Sequence, residues 1–387
     1  MSKRIYPNQT IGILGAGQLG KMLGQSAQKM GYRVAMYDEG TSACGFAVSH
    51  RTETGSFNDT EKVLAFARSV DVLTYEFENI NGDILLDLQT DAHVPQNTEF
   101  LLTTQNRLSE KAWLNEQGVP CVAYAKVHSA ADLQTALAHI GFPAILKRTR
   151  FGYDGKGQFR LNSEKDLLKH AELAEMLEAE CVLEAFYPYD YEASIVVARD
   201  IFGTIECFPA VVNQHVAGIL FTSVTNTVIS EVVQSKMTAI ATIIAHQSQL
   251  IGVCGIEFFI TNNDEVVVNE LAPRPHNTGH YTIEGTNVSQ YDQHILAITG
   301  RALIPVRLLT PTLMVNILGQ HIPDIPELLN HFPEAIVHLY DKGEPRLQRK
   351  MGHFILMAET VEELETLLHQ DSFIKKWREA VKTEANA

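Results

Sequence analysis

From Thr10 the chain reads Thr-Ile-Gly-Ile-Leu-Gly15-Ala-Gly17-Gln18-Leu19-Gly20, an apolar run passing directly into G-x-G-x-x-G. A short apolar run before such a turn suits a buried strand that feeds a helix. Lys21 to Gly31 reads as that helix, closed by glycine, and Arg33-Val-Ala-Met-Tyr-Asp38 as the next strand. Together they confine the N-terminus to a wound α/β sheet of the Rossmann type. Asp38 completes a dinucleotide fingerprint, so a nicotinamide-dependent dehydrogenase is one reading. The plainer reading is a glycine turn at a helix N-terminus that binds any phosphate. A further strand, Val70 to Asn79, ends in Glu76 and Glu78. These are equally solvated loop acids or carboxylates that hold sugar hydroxyls or an amine at the sheet's edge.

The remaining length allows more than one core: 387 residues suit two or three domains. A formal net charge of −15 argues against nucleic acid or an anionic membrane as partner, so basic clusters read as local anion sites. Cys44, Cys121, Cys181, Cys207 and Cys254 form no C-x-x-C, which indicates neither a zinc site nor a disulfide framework. No apolar leader or membrane-length run is present, and a cytoplasmic location is expected.

In the central region, Asn106 to Gln117 reads as a helix closed by Gly118 and Pro120, with Arg107 near its start. Ala130 to Ile140 reads as another, stopped by Gly141 and Pro143. There follows Ile145-Leu-Lys147-Arg148-Thr-Arg150-Phe-Gly152-Tyr153-Asp154-Gly155-Lys156-Gly157-Gln158, a lysine-ended strand and a glycine-rich loop, before Phe159-Arg-Leu resumes a strand. Glycines let successive N–H groups approach phosphate oxygens, and the cationic side chains add charge. The Walker pattern is absent, and alone the stretch reads equally as a basic hairpin turn. Lys165 to Ala179 is helical in pattern, and Cys181 to Tyr187 is a short strand. Tyr191–Arg199 and Thr204–Phe208 flank a hairpin turn, and Ser230 to Gly252 reads as a long helix ending in glycine.

Gly255-Ile-Glu257-Phe-Phe-Ile and Val266-Val-Val-Asn269-Glu270 surround a polar turn. If Asn263-Asp264 form a two-residue hairpin loop, paired residue numbers sum to 527 and Glu257 faces Glu270. Like charges facing on one sheet repel, which makes sense if a divalent cation lies between them and Asn269 supplies another oxygen. Immediately afterwards, Pro273-Arg274-Pro275-His276-Asn277-Thr-Gly-His280 packs polar groups into a proline-pinned loop, as sites do. Near the C-terminus, Pro311 to Leu318 and His353 to Ala358 read as strands of a small domain. Thr360 to His369 reads as a helix, and Trp377 to Ala387 as a frayed tail. The expected layout is a Rossmann-like domain over 1–105, a central α+β domain over 106–300 with a lid near 120–187, and a small β-rich domain over 301–387.

The glycine turn, the lysine-ended strand with its glycine loop, and the paired hairpin glutamates together resemble the ATP-grasp carboxylate–amine ligases. Phe151-Gly-Tyr-Asp-Gly-Lys-Gly-Gln158, Asn269-Glu-Leu-Ala-Pro-Arg-Pro-His-Asn-Thr-Gly-His280 and Arg349-Lys350-Met-Gly-His353 resemble the N5-carboxyaminoimidazole ribonucleotide synthetase family within them. The resemblance implies an ATP-grasp fold and the carboxylation of 5-aminoimidazole ribonucleotide by ATP and bicarbonate through carboxyphosphate. It implies that Arg107 and Lys147 neutralise ATP phosphates while Gly152, Tyr153, Asp154, Gly155, Lys156, Gly157 and Gln158 close over them. Glu184, Ala185, Phe186 and Tyr187 would read adenine mainly through backbone groups, and Glu192 would take the ribose. His215 is either a nucleotide contact or a loop histidine. Glu257 and Glu270, beside Asn269, would hold magnesium, with two ions expected. The ribonucleotide phosphate would meet Gly15, Gln18, Leu19 and the turn to Gly20, with Arg349 and Lys350. Glu76, Tyr153, Arg274, His276 and Asn277 would surround the rest of it. Asp154 is the expected proton acceptor, with Lys350 and His276 also catalytic. A homodimer and hand-off of product to the mutase of the next step are expected of such a family. A formate-using glycinamide ribonucleotide transformylase, the dehydrogenase and a non-catalytic nucleotide sensor are the competing readings.

Overall fold

The structure is a computed structural model that describes residues 3–150, 157–168, 170–225 and 229–385. Its first sheet follows from the opening motif. Strand β1 (Thr10–Leu14) leads through the turn into a helix over Gln18–Lys29, and β2 (Arg33–Asp38) returns parallel to β1. Adding β3 (Arg51–Thr54) and β4 (Val72–Tyr75) gives a four-stranded parallel sheet in the order β3-β2-β1-β4. Ile11, Ile13 and Leu14 are completely buried, as the apolar run requires of a strand covered on both faces. Gly15 takes φ +91°, a conformation that L side chains avoid.

The second sheet is small and antiparallel. It orders β5 (Tyr124–Val127), β6 (Ala144–Arg148), β7 (Gln158–Leu161) and β8 (Cys181–Ala185) as β5-β8-β6-β7. The helix Ala130–Ile140 contributes Leu133, Ala136 and Leu137 to the same core. Ser129 caps its start by accepting from the Asp132 N–H, and Gly141 ends it at φ +80°. The region after β7 holds a helical turn over Glu164–Leu168 and a helix over His170–Met176.

The third sheet carries most of the remaining chain. Strands β9 (Tyr191–Arg199), β10 (Ile205–Cys207), β11 (Val211–Val216), β12 (Ile219–Val224), β13 (Gly252–Ile260) and β14 (Val266–Ala272) continue into β15 (Thr312–Leu318), β16 (Ile336–Leu339) and β17 (Lys350–Met357). The order is β14-β13-β9-β11-β12-β15-β17-β16, with β10 on β9. Thr222 pairs with Val315, so the late strands extend this sheet rather than forming one of their own. The helix Glu231–Gln247 packs Val233, Met237, Ala241 and Ile244 against it.

Two sequence expectations change here. The long helix stops at Gln247 instead of Gly252, because the chain turns through Gln249 (φ 48°) and buries Leu250. Gly252 opens β13 instead. The expected frayed tail is a helix, Ser372–Ala385, whose Trp377 is 1% exposed. Trp377 stacks on His321 at 4.4 Å and donates its indole N–H to Asp324 at 3.1 Å. Phe373, Ile374, Trp377 and Val381 form one buried stripe at helical spacing. Among the described residues no helix is long and apolar enough to cross a membrane.

Candidate active site

A cleft of ≈ 870 Å³ is lined by residues of the two antiparallel sheets and by the residues that follow β1 and β4 of the first sheet. A second cavity of ≈ 700 Å³ near Arg4, Tyr32 and Phe202 is lined by no carboxylate, histidine or amide. The chemistry therefore lies in the first.

At the floor of the cleft, β13 and β14 pair antiparallel and Glu257 faces Glu270. The hairpin that sets this register is not the expected two-residue loop. Ile260 pairs with Val266 and Phe258 with Val268, one residue short of the expected count, so the loop spans Thr261 to Glu265. A bulge beside Asn269 then adds one residue to β14 and brings the acids opposite each other. Burial and the facing Glu270 push Glu257 up to about 7. Desolvation works against Glu270 as well, but the charges of Arg107 and Lys147 hold it below the usual carboxylate range. The Arg107 guanidinium donates to Glu270 Oε2 at 3.2 Å. His276 places its Nε2 3.7 Å from Glu257 Oε1 and binds Thr278 through Nδ1 at 2.8 Å. Burial and the nearby Arg274 lower its pKa to about 3, so the ring is neutral. Ligand atoms of Glu257, Glu270 and His276 lie within 4.8 Å of one another, and Asn269 lines the same cleft. Two carboxylates and an amide are hard oxygen donors, and their like-charge conflict is one that a divalent cation relieves, so these residues fit magnesium.

Lys147, next to last in β6, extends from the small sheet into the cleft. Its Nζ donates to Glu184 Oε2 at 2.6 Å, and Lys111 Nζ lies 3.1 Å from Glu184 Oε1. Glu184 is therefore a buried anchor for two lysines as well as part of the expected adenine strand. Burial works against its charge, yet Lys147 and Lys111 hold its pKa at about 2. The Ala185 and Phe186 N–H groups are donated to Ala123 O and Pro143 O, so this strand offers less free backbone than expected. Phe186, Tyr187, Gly157 and Gln158 line the cleft. Gly152, Tyr153, Asp154, Gly155 and Lys156 lie outside the described residues.

On the large sheet, Glu192 and Asn213 are in register on β9 and β11, so His215, two residues beyond Asn213, shares the face of Glu192; the bulge beside it falls on β12 at Phe221. His215 Nδ1 and Glu192 Oε2 make a short hydrogen bond, and Tyr189 donates its hydroxyl to Glu192 Oε1 at 2.8 Å. Burial opposes a charged His215, but the Glu192 bond and the charge of Glu257 outweigh it and raise its pKa.

The N-terminal wall departs most from expectation. Glu76 accepts from the Gly17 and Gly20 N–H groups, each at 2.5 Å. The helix N-terminus expected to cradle phosphate is thus already filled by a carboxylate. Asp38 accepts from Ala16 at 2.7 Å and Gly40 at 2.8 Å. Those bonds occupy the acid that the dehydrogenase reading needs for ribose. Gly15 is buried beneath Glu76, whereas Gln18 and Leu19 line the cleft. Arg274 grips Glu78 through two nitrogens, Nη2 at 2.8 Å, which ties the proline loop to the N-terminal domain. Burial works against Glu78, but Arg274 draws its pKa below the usual range. Both polar side-chain atoms of Asn277 are buried at the cleft wall with no hydrogen-bond partner among the described residues. Lys350 faces the cleft, whereas the neighbouring Arg349 is exposed and donates to Lys342 O at 3.3 Å. Arg349 precedes β17, which opens at Lys350, and stands beside Lys342.

Sequence reasoning passed over Lys111, Tyr189 and Lys342. Lys111 follows Arg107 by four residues and shares its helix face, a signal present in the sequence. Lys342 stands close to Glu76, Arg349 and Lys350, and burial brings its pKa down to about 8. Its loop position leaves no periodic signal.

Comparison with known proteins agrees with this architecture. Residues 8–105 match the ribonucleotide synthetase preATP-grasp domain, 112–291 the ATP-grasp domain, and 312–366 the phosphoribosylaminoimidazole carboxylase C-terminal domain. The N5-carboxyaminoimidazole ribonucleotide synthase of Bacillus subtilis is 40% identical over 94% of this chain and 95% of its own length. A crystal structure of an N5-carboxyaminoimidazole ribonucleotide synthetase with ADP superposes with a TM-score of 0.93 at 39% identity, over 98% of this chain and 100% of that one. The Aspergillus clavatus enzyme, crystallised with ADP and 5-aminoimidazole ribonucleotide, gives a TM-score of 0.88 at 28% identity, over 97% of this chain and 100% of that one. Fold, cleft and likeness along nearly the whole chain place this protein in the N5-carboxyaminoimidazole ribonucleotide synthase family of ATP-grasp enzymes.

Proposed function

We propose that the chain carboxylates the exocyclic amine of 5-aminoimidazole ribonucleotide, with ATP and bicarbonate as co-substrates and ADP and phosphate as by-products, in purine biosynthesis. The observation that carries this reading is the single cleft joining the opposed Glu257 and Glu270, the Lys147–Glu184 pair and the Glu192–His215 pair to Glu76 and Lys350. Arg107 and Lys147 neutralise the phosphates of ATP, and Glu192 receives the ribose hydroxyls. Glu257 and Glu270, with Asn269, hold magnesium, which when bound neutralises and aligns phosphate oxygens. A bicarbonate oxygen attacks the γ-phosphorus, the bond to ADP breaks, and carboxyphosphate results. Lys350 stabilises that anion, and neutral His276 offers its ring nitrogen to the carboxyl group as the amine attacks. Phosphate leaves, and Asp154 accepts the amine proton. The ribonucleotide's own phosphate is met by Gln18, Leu19, Lys342 and Arg349, since Glu76 fills the glycine turn. Glu76, Arg274 and Asn277 orient its ring and ribose. The enzyme works in the cytoplasm as a homodimer that hands its labile carbamate to the following mutase.

The test is ADP release with ATP, magnesium and bicarbonate, with and without 5-aminoimidazole ribonucleotide. Strong stimulation by this ribonucleotide, and none by glycinamide ribonucleotide or biotin, is the expected result. Stimulation by a different amine would overturn the substrate, and no stimulation at all would overturn the ligase.

A further inference from the structure

We propose that Lys111 is a positioning residue for nucleotide binding: through Glu184 it fixes Lys147 in place and leaves that lysine's charge available to phosphate. The inference rests on the functional reading above and deepens it. Lys111 does not line the cleft and is 1% exposed, so its ammonium has no solvent to neutralise it. A buried lysine survives only with an anionic partner. The ion-pair partner of Lys111 is Glu184 at 3.1 Å, itself 2% exposed, whose second oxygen accepts from Lys147 at 2.6 Å. The neighbouring buried Glu110 is pushed by burial up to about 8 and stays protonated at neutral pH, so it does not cancel the charge.

The arithmetic of charge gives the arrangement its consequence. Lys147 and Glu184 alone would form a neutral pair, and the carboxylate would compete with phosphate for the lysine. With Lys111 on the other oxygen, the trio carries one net positive charge; Lys147 and Glu184 line the cleft, and Lys111 stands behind them. The connection is also mechanical. One face of the helix Arg107–Glu116 sends Arg107 to Glu270 on the large sheet and Lys111 to Glu184 on the small sheet. A lysine needed only for packing would not require its Nζ against a carboxylate, and an apolar side chain would fill the space.

Direct titration with ADP separates these roles, using the full-length wild type, Lys111→Met, Lys111→Arg, Lys147→Met and the double Met variant. Lys111→Met should weaken ADP binding roughly tenfold and raise the KM for ATP in step, as expected on losing a buried ion-pair partner. The KM for 5-aminoimidazole ribonucleotide should stay within about twofold, and Lys111→Arg should recover most of the loss. In the Lys147→Met background, removing Lys111 should change ADP binding less than about twofold, because the two act as a unit. If Lys111→Met does not fold, Lys111→Gln carries the same expectations. Wild-type ADP affinity in the neutral variant, or independent multiplication of the two losses, overturns the inference alone. A wild-type chain that binds no ADP overturns the functional reading instead.

Discussion

Glu257 and Glu270 face each other across a ladder although like charges so placed repel. A protein that keeps such a pair sacrifices stability for a ligand, and the two costs can be separated. In a chelator, Glu257→Gln should leave unfolding free energy unchanged or raise it by up to about 1 kcal/mol. ADP release under turnover conditions should fall at least ~100-fold in the same variant. Urea unfolding with EDTA and a coupled ADP assay measure both, and an active Glu257→Gln chain would remove the metal assignment. The acids' pairing was legible in the sequence, but the count that led to it was one residue out near the turn. The Asn269 bulge makes up the difference, and no local pattern announces a bulge.

Elements were easier to read than their contacts. The apolar run, glycine turn and helix fixed β1, the helix Gln18–Lys29 and β2, because each signal is local. The turn's occupant was hidden, since Glu76 lies 56 residues beyond the Gly20 N–H that it accepts from. Glu76→Ala should strip a capping carboxylate from that helix and cost about 1–2 kcal/mol. An unchanged urea midpoint would mean that the glycine N–H groups are equally well satisfied without it. The last helix offers the converse lesson. Its Phe373, Ile374, Trp377 and Val381 stripe was present in the sequence, but its position at the terminus made it look dispensable. Trp377→Ala should cost about 3–5 kcal/mol, as for a buried aromatic. A loss below ~1 kcal/mol would restore the picture of a loose tail.

At the scale of the whole molecule, the N-terminal sheet is joined to the rest by polar side chains as well as by apolar packing. Ser26 and Lys29 bind Asp292 on the helix Gln290–Ile298, and His294 of that helix reaches across to Thr74 on β4. Its Nδ1 accepts the Val253 N–H from β13 at 3.3 Å, so the ring proton must reside on Nε2, 2.8 Å from the Thr74 hydroxyl. A second proton on Nδ1 would point two donors at each other and place an unpaired charge in the core. Burial accordingly lowers the His294 pKa from 6.5 to about 3. Such a depressed histidine stabilises the fold fully above pH 6.5. As pH falls from there towards 3, the unfolded chain takes up the proton and the folded chain does not, so stability is lost. The slope from this residue alone should be about 1.4 kcal/mol per pH unit. His294→Gln keeps an acceptor and a donor but cannot titrate, so between pH 6 and 4.5 its stability should fall less steeply than the wild type's by about that amount. Urea unfolding of both chains at three pH values provides the comparison. Parallel slopes would mean that His294 is hydrated in the folded state and that acid reaches this joint through other groups.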